Sequence, residues 1–246
     1  MERQNNVSAA IETQEGEGVV VKRLFPVRRE MMNFDPFVLW DHFELTPGSG
    51  FPQHPHRGFE AITYLFEGGV EHKDNLKNAS TVFSGGAQRF TAGKGILHSE
   101  MPVKGAVSRG IQVWINLPRH LKQMVPDYQQ VDEQDLPSEL IDGVRVRTIV
   151  GTDESIRLQT SVQYLELSFL QATRHTVNVS PSHRGFVYVV DGDVRVDNQL
   201  LAKGQACFFE QLTTELIIEG AQDAHVMVIS GVPHKQPIYQ HGPYVD

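Results

Sequence analysis

The amino-acid sequence predicts an all-β protein made of two similar barrels. Many short runs of β-branched and aromatic residues are separated by Gly-containing turns, and helical periodicity is scarce. The tetrapeptide His-Arg-Gly-Phe occurs at residues 56–59 and again at 183–186. Each copy leads into an apolar run and then an acidic-Gly turn, at 67–69 and at 191–193. This repetition predicts a duplicated domain, with chance similarity of four residues as the alternative.

The predicted strands fall into two groups on either side of a Pro-rich segment. In the first half, strand-like runs occupy residues 19–21, 34–43, 59–66 and 111–116. Residues 117–143 contain three prolines and many charges, so we expect them to connect the halves, with a helical turn near 133–141. Strand-like runs resume at 144–150, 162–170, 187–190, 206–209 and 226–229. These boundaries predict an N-terminal barrel over 1–140, a C-terminal barrel over 141–232 and a tail over 233–246.

The composition limits the function classes that are open to this chain. It has 22 Lys and Arg against 30 Asp and Glu, a net charge of −8, which disfavours direct binding of nucleic acid but allows a protein partner. No apolar run is long enough to span a membrane. Residues 1–18 are polar, lack the apolar core of a signal peptide and are expected to be loosely ordered, so we expect a cytoplasmic location.

The sequence contains one cysteine, Cys207, which excludes an intramolecular disulfide and a Cys-rich zinc site. Its neighbours Ala206, Phe208 and Phe209 are apolar. We therefore predict a small buried core residue rather than a nucleophile.

Two short clusters predict a metal site in the first half. His54 and His56 form one i, i+2 pair, and His98 and Glu100 form another. On a strand, side chains at i and i+2 point to the same face, so two facing strands would bring the four side chains together. Three neutral imidazoles and one carboxylate suit one divalent transition metal such as Fe, Mn, Ni, Cu or Zn. A single His-x-His pair is more often a surface or hydrogen-bonded feature, and it is the presence of two pairs that favours a metal.

The second copy of the repeat lacks the side chains that could bind a metal. Pro181 stands at the position of His54, Val187 stands at the position of Glu60, and no His-x-Glu pair follows the turn at Gly204. We therefore expect a metal in the N-terminal barrel and a structural copy, centred on His183, in the C-terminal one.

In residues 111–116, aliphatic residues alternate strictly with polar or aromatic ones. This pattern predicts a strand that could form one wall of the metal site. Gln112, Trp114 and Asn116 share a polar and aromatic face, which suits a pocket as well as a half-wet sheet surface. Proximity to the two clusters adds Phe51, Phe59 and Met101 as candidate wall residues, with ordinary core packing as the alternative for each.

The chain resembles the pirin family, two-barrel members of the cupin superfamily. The matching stretches cover most of the chain and lie at 33–37, 54–60, 91–102, 114–118 and 240–244. The resemblance implies two tandem cupin (jelly-roll-like) β-barrels with few short helices. It also implies one metal, with Fe(II) ranked first, held by His54, His56, His98 and Glu100. The general cupin pattern has a Glu ligand where Glu60 stands, and Glu60 has the strand parity of His54 and His56, so Glu60 is kept as an alternative ligand or a residue behind the ligands.

The resemblance implies an activity as well. Bacterial members are associated with quercetin 2,3-dioxygenase activity, which predicts a small aromatic, flavonol-like substrate and O2. Glu100, or otherwise Glu60, is then the expected catalytic base. Animal members are linked to transcriptional co-regulation and redox sensing, so an iron-binding sensor that acts through protein partners is the alternative. An enzyme acting on another oxygenated aromatic or enolic metabolite is a third possibility.

Overall fold

A computed structural model describes residues 6–27 and 30–246, and these residues form 24 β-strands and two short 3-10 helices. In the first part of the chain the strands are β1 (Asn6–Ala9), β2 (Ile11–Glu15), β3 (Val19–Phe25), β4 (Phe37–Leu45), β5 (Phe51–His56), β6 (Phe59–Glu67), β7 (Gly69–Asp74), β8 (Ala79–Phe83), β9 (Ala87–Thr91), β10 (Ile96–Pro102), β11 (Ser108–Asn116) and β12 (Asp127–Val131). The later strands are β13 (Ser138–Ile141), β14 (Val144–Val150), β15 (Val162–Phe169), β16 (Thr173–Asn178), β17 (Arg184–Asp191), β18 (Val194–Val196), β19 (Gln199–Leu201), β20 (Gln205–Phe209), β21 (Glu215–Gly220), β22 (His225–Gly231), β23 (Gln240–His241) and β24 (Tyr244–Val245). The 3-10 helices are Arg119–Leu121 and Glu133–Asp135. The prediction of an all-β fold with few short helices is confirmed.

The chain divides into two compact units, each with a seven-stranded and a four-stranded antiparallel sheet. The first unit contains residues 11–135 and 234–246, with sheet orders β12-β9-β6-β11-β4-β3-β2 and β5-β10-β7-β8 and the small β23-β24 pair. The second contains residues 6–10 and 136–233, with orders β1-β20-β17-β22-β15-β14-β13 and β16-β21-β18-β19. The strands that begin within the two His-Arg-Gly-Phe copies, β6 and β17, are each the third strand of their seven-stranded sheet. This interleaving differs from the serial domains predicted at 1–140 and 141–232.

Each unit has its own apolar core, because inward-facing residues alternate with outward-facing ones along its strands. In the second unit one buried cluster includes Phe169, Val187, Phe209 and Ile218. Cys207 is a free, buried thiol in that cluster, as predicted. In the first unit, a cluster around Phe59, Phe90 and Trp114 lies beside the predicted metal site.

One local prediction is wrong and another is only partly confirmed. Of residues 1–18, which were expected to be loosely ordered, 1–5 lie outside the described residues, whereas Asn6–Ala9 and Ile11–Glu15 form β1 and β2. Their main chains add to the edges of existing sheets, where polar side chains can face water. The segment near 133–141 holds a 3-10 helix only at Glu133–Asp135, and 138–141 pairs with β14 as a strand. The charges in that segment lie on exposed positions, so they do not indicate a helix.

Among the described residues, no helix is long and apolar enough to cross a membrane.

Candidate metal centre

The two predicted ligand pairs lie on neighbouring antiparallel strands, β5 and β10. His98 is opposite His54, and Ile96 is opposite His56. The register shifts between His98 and Glu100, where β5 holds one more residue than β10. The prolines of β5 are tolerated because β5 is the edge strand of its sheet.

This pairing gathers three histidines. The imidazole nitrogens of His54, His56 and His98 offer ligand atoms that all lie within 4.8 Å of one another. The Nε2 atoms of His54 and His98 are 3.1 Å apart, and their ring centroids are 4.5 Å apart. The ring of His56 lies 4.6 Å from that of His54 and 5.0 Å from that of His98. Of the four predicted ligands, these three form a group that could hold a metal ion.

The hydrogen bonds of the His54 and His56 rings occupy Nδ1 and leave Nε2 as the nitrogen that could bind a metal. His54 Nδ1 lies 2.7 Å from the carbonyl oxygen of Pro52, and His56 Nδ1 lies 3.2 Å from that of Pro243. A carbonyl only accepts, so Nδ1 of each ring carries the proton and donates it. In a neutral imidazole the lone pair then lies on the other nitrogen, Nε2, and that of His54 Nε2 is 3.1 Å from His98 Nε2. Metal-binding histidines typically show this arrangement, and the donor set therefore fits a divalent transition metal.

Burial keeps two of these rings neutral. Burial, followed by the nearby His54 ring, lowers the pKa of His56 to about 3. Burial, followed by the neighbouring histidine rings, holds the pKa of His98 well below its ordinary 6.5. Both imidazoles are therefore neutral at pH 7, which is the form that binds a metal.

Glu100 lies on the same strand face as His98 and is 3 % exposed. Its Oε1 accepts hydrogen bonds from Thr63 Oγ1 at 2.8 Å and Gln88 Nε2 at 2.5 Å, and its Oε2 accepts one from Gln112 Nε2 at 2.7 Å. A carboxylate offers about four lone-pair sites, so Oε2 keeps one for a further partner. The carboxylate is outside the group of three histidines, and its role as fourth ligand stays a prediction.

Known proteins match both halves of the chain. Residues 18–115 match the family described as Pirin, and residues 164–246 match the Pirin C-terminal cupin domain. The chain is 34 % identical over 244 residues to Pirin of Mus musculus, covering 95 % of this chain and 84 % of that one. The chain belongs to the pirin family. It is also 35 % identical to a pirin-like protein of Caulobacter vibrioides, over 95 % of this chain and 88 % of that one.

A solved structure of quercetin 2,3-dioxygenase from Acinetobacter baumannii superimposes on this pirin-family chain with a TM-score of 0.88. The two are 28 % identical, and the match covers 98 % of this chain and 90 % of that chain. The predicted bicupin fold is confirmed by this match and by the matches to both pirin domains.

The predicted orientation of Glu60 is wrong in this pirin-family chain. Its neighbour Phe59 contacts the His56 ring at a centroid distance of 5.1 Å. Glu60 points to the other face of β6, where it accepts a hydrogen bond from Thr91 Oγ1 at 2.7 Å. The parity argument failed because the turn at Arg57 and Gly58 separates β5 from β6, so the alternation does not carry across it.

The predicted wall is partly confirmed. Trp114 lies 4.9 Å from His56 and stacks on Phe59 at 4.1 Å, while Phe51 lies 6.2 Å from His54, all between ring centroids. Met101 is next to Glu100 on β10 and therefore points to the opposite face. Sequence reasoning missed Phe90, whose ring stacks on His56 at 5.4 Å and contacts His98 at 4.5 Å.

A histidine–aspartate pair was also missed. His72 is fully buried on β7, opposite Glu100, and its ring lies 5.4 Å from that of His98. Its Nε2 lies 3.0 Å from Asp74 Oδ2. The i, i+2 spacing of His72 and Asp74 is the same signal that identified the two ligand pairs, so the sequence could have revealed them.

A pocket of about 230 Å3 opens beside His56. The residues that line it are Pro55, His56, Arg57, Asn75, Lys94, Gly95, Ile96, Leu97 and Tyr244. Small-molecule sites usually measure about 300–1,000 Å3, so this pocket is smaller than that range.

Proposed function

We propose that this protein is a metal-dependent dioxygenase that opens the ring of flavonols such as quercetin with O2. In this proposal His54, His56, His98 and Glu100 hold one divalent metal, with Fe(II) ranked first and Ni, Mn, Cu or Zn as alternatives. The observation that carries it is the cluster of three histidines, two of which have Nδ1 committed to a carbonyl, so that the lone pair lies on Nε2. The likeness to quercetin 2,3-dioxygenase of Acinetobacter baumannii supports the reaction class.

The chemistry divides between the bound metal and the protein. When bound, a divalent metal would supply a Lewis acid and a template for the 3-hydroxyl oxygen of a flavonol. Glu100 would serve in turn as ligand and as base: the one site left on Oε2, the oxygen with one hydrogen-bond donor, would accept the hydroxyl proton only while it is not bound to the metal. Glu60 is not retained as a base, because it faces away from the histidines.

The surroundings of the histidines support this assignment. Phe59, Phe90 and Trp114 are each less than 10 % exposed and contact the His56 ring. They would exclude water and present flat apolar faces to an aromatic substrate. Thr63, Gln88 and Gln112 would hold the Glu100 carboxylate in place while it exchanges a proton.

The test is aerobic incubation of the iron-loaded protein with quercetin, followed by the loss of flavonol absorbance and the appearance of the ring-opened product. We expect turnover in the parent chain and loss of both metal and turnover in the double variant His56→Ala, His98→Ala. His183→Ala is the matched control, because it removes a buried histidine from the second unit. Stoichiometric metal in the double variant would exclude these ligands.

A second candidate is a metal-dependent sensor or transcriptional co-regulator that acts through a protein partner. The observation that allows it is the same cluster of three histidines, which could hold a metal whether or not a substrate binds. This candidate needs the same metal ligands but no flavonol turnover. Metal binding by the parent chain without loss of any flavonol would favour the sensor over the dioxygenase.

A further inference from the structure

The last eight residues, 239–246, form a C-terminal hairpin that reaches the metal-site histidine His56. We propose that this C-terminal hairpin is a positioning element of the metal centre, in which the Pro243 carbonyl fixes the tautomer and the orientation of the His56 ring. The inference rests on the proposed metal site and assigns to it a part of the chain that the ligand motifs do not include.

The hairpin is an ordered structure with its own hydrogen bonds. Strands β23 and β24 pair antiparallel, and the main chains of Tyr239 and Asp246 exchange two hydrogen bonds of 3.1 and 2.8 Å. The segment that precedes it is fixed at Asp35, whose carboxylate accepts hydrogen bonds from the backbone N–H groups of His234 and Lys235. The hairpin therefore returns to the first unit along a defined path.

Val245 anchors the hairpin in the core of the first unit. Its side chain is fully buried in the cluster that contains Phe59 and Trp114, two residues that contact His56. Its N–H donates to the carbonyl oxygen of Arg57 at 3.0 Å. Burial of an apolar side chain stabilises a contact more than an exposed ion pair does, so Val245 holds the hairpin more firmly than the exposed Arg57–Asp246 pair.

Lys122 connects the hairpin to the strands around the site. Its Nζ donates to the carbonyl oxygens of Val245 at 2.8 Å and Gly58 at 3.0 Å, and to Asn116 Oδ1 at 2.8 Å. These three acceptors belong to the hairpin, to the turn after His56 and to the end of β11. One half-buried ammonium group therefore holds three segments together.

The two hydrogen-bonded histidines obtain their carbonyl acceptors in different ways. His54 uses Pro52, two residues away on its own strand, whereas His56 uses Pro243, which is 187 residues away in the chain. The local contact forms with β5 itself. The remote contact exists only when the hairpin is in place, and without it the Nδ1 atom of His56 loses the acceptor that sets its tautomer.

The experiment loosens the hairpin without touching a ligand. Lys122→Met removes three hydrogen bonds, and Val245→Ala shortens the buried side chain that anchors the hairpin. A double variant combines these two substitutions. Lys104→Met, at an exposed lysine, is the matched control. Imidazole 15N chemical shifts of the metal-free protein report the tautomer of His56, with His54 as internal reference. Competition with a chromophoric chelator gives the dissociation constant for Zn2+.

We expect the Nδ1–H tautomer of His56 to decline while that of His54 is unchanged, and Zn2+ affinity to weaken by about 10- to 100-fold. The control should match the parent protein. The proposal is overturned if the double variant keeps the His56 tautomer and an affinity within twofold of the parent. It is also overturned if both histidines change alike, because that result indicates general loosening.

If Val245→Ala does not fold, Lys122→Met alone decides by the same two criteria. A parent protein that binds no metal would refute the proposed function. The tautomer measurement on the metal-free protein would still test the hairpin, so the two failures are distinguishable.

Discussion

At the scale of single residues, Glu100 and Glu60 are two buried carboxylates with different surroundings. Each accepts a hydrogen bond from a threonine hydroxyl. Glu100 also accepts N–H groups from Gln88 and Gln112 and shares a strand face with His98. This difference predicts that the two carboxylates respond differently to the same substitution.

Glu100→Gln should reduce metal affinity by more than the 10- to 100-fold that is typical of residues behind the ligands. The amide nitrogen of Gln cannot bind a metal. Whichever carboxylate oxygen it replaces, its N–H group faces a side-chain N–H group, that of Gln88 at the Oε1 position or that of Gln112 at the Oε2 position. That clash should also lower the free energy of unfolding by about 1–3 kcal/mol. Elemental analysis, flavonol turnover and thermal unfolding of one sample measure all three effects.

Glu60→Gln is the matched control, and we expect it to keep both metal and turnover. If Glu100→Gln retained both while Glu60→Gln lost both, the choice between the carboxylates would be wrong.

The thiol of Cys207 should be inert in the folded protein. Burial raises its pKa to about 11 from 9.0, so at pH 8 the reactive thiolate is scarce as well as inaccessible. We expect no reaction with a disulfide reagent in native conditions and one equivalent after unfolding in guanidinium. Rapid labelling of the native protein would contradict the burial of this side chain.

At the scale of elements, strand alternation predicted side-chain direction within a strand but not across a turn. It grouped His54 with His56 and His98 with Glu100, and it placed Gln112 and Trp114 on the wall. It failed for Glu60, because the turn after His56 begins a new strand in another sheet. The pairing of β5 with β10 depends on tertiary contacts, so no local pattern could establish it.

The turn between β5 and β6 leaves no room for a side chain at Gly58. Its φ is +87°, and a Cβ there would lie 1.8 Å from the carbonyl oxygen of Val245. Gly105 has a similar φ of +79° and nothing within 4 Å of a Cβ, so it is a matched control. Gly105→Ala should cost about 1–2 kcal/mol for the left-handed conformation alone.

Gly58→Ala should cost about a further 1–3 kcal/mol, because the hairpin must move to make space. Chemical denaturation of both variants measures the difference. Equal losses of stability would show that the hairpin does not pack closely against this turn.

At the scale of the whole molecule, the two units repeat one strand order but differ in chemistry. In the second unit the histidine of the repeat, His183, bonds the hydroxyls of Ser230 at 3.0 Å and Ser161 at 3.3 Å. The repeat was visible in the sequence as four residues, whereas the addition of β1 to a sheet of the second unit and the return of the hairpin to the first unit were not. Those features are set by pairing between segments that are distant in the chain.

His183→Ala should leave the metal content unchanged, because we expect no metal in the second unit. It should lower the free energy of unfolding by about 1–3 kcal/mol, since the buried hydroxyl of Ser230 loses a partner. Elemental analysis and denaturation test both statements. A second equivalent of metal in the parent that is lost in this variant would show that the second unit also binds metal.

The hairpin has a consequence for the order of events during synthesis. His54, His56 and His98 leave the ribosome early, but Pro243 follows only after residues 136–233 have been translated. At about 5–20 residues per second, that interval lasts about 5–20 s. A nascent chain can gather its three histidines in this period while His56 still lacks its carbonyl acceptor. Metal captured during translation should therefore exchange readily, and tight retention should begin only when residues 239–246 close on the site.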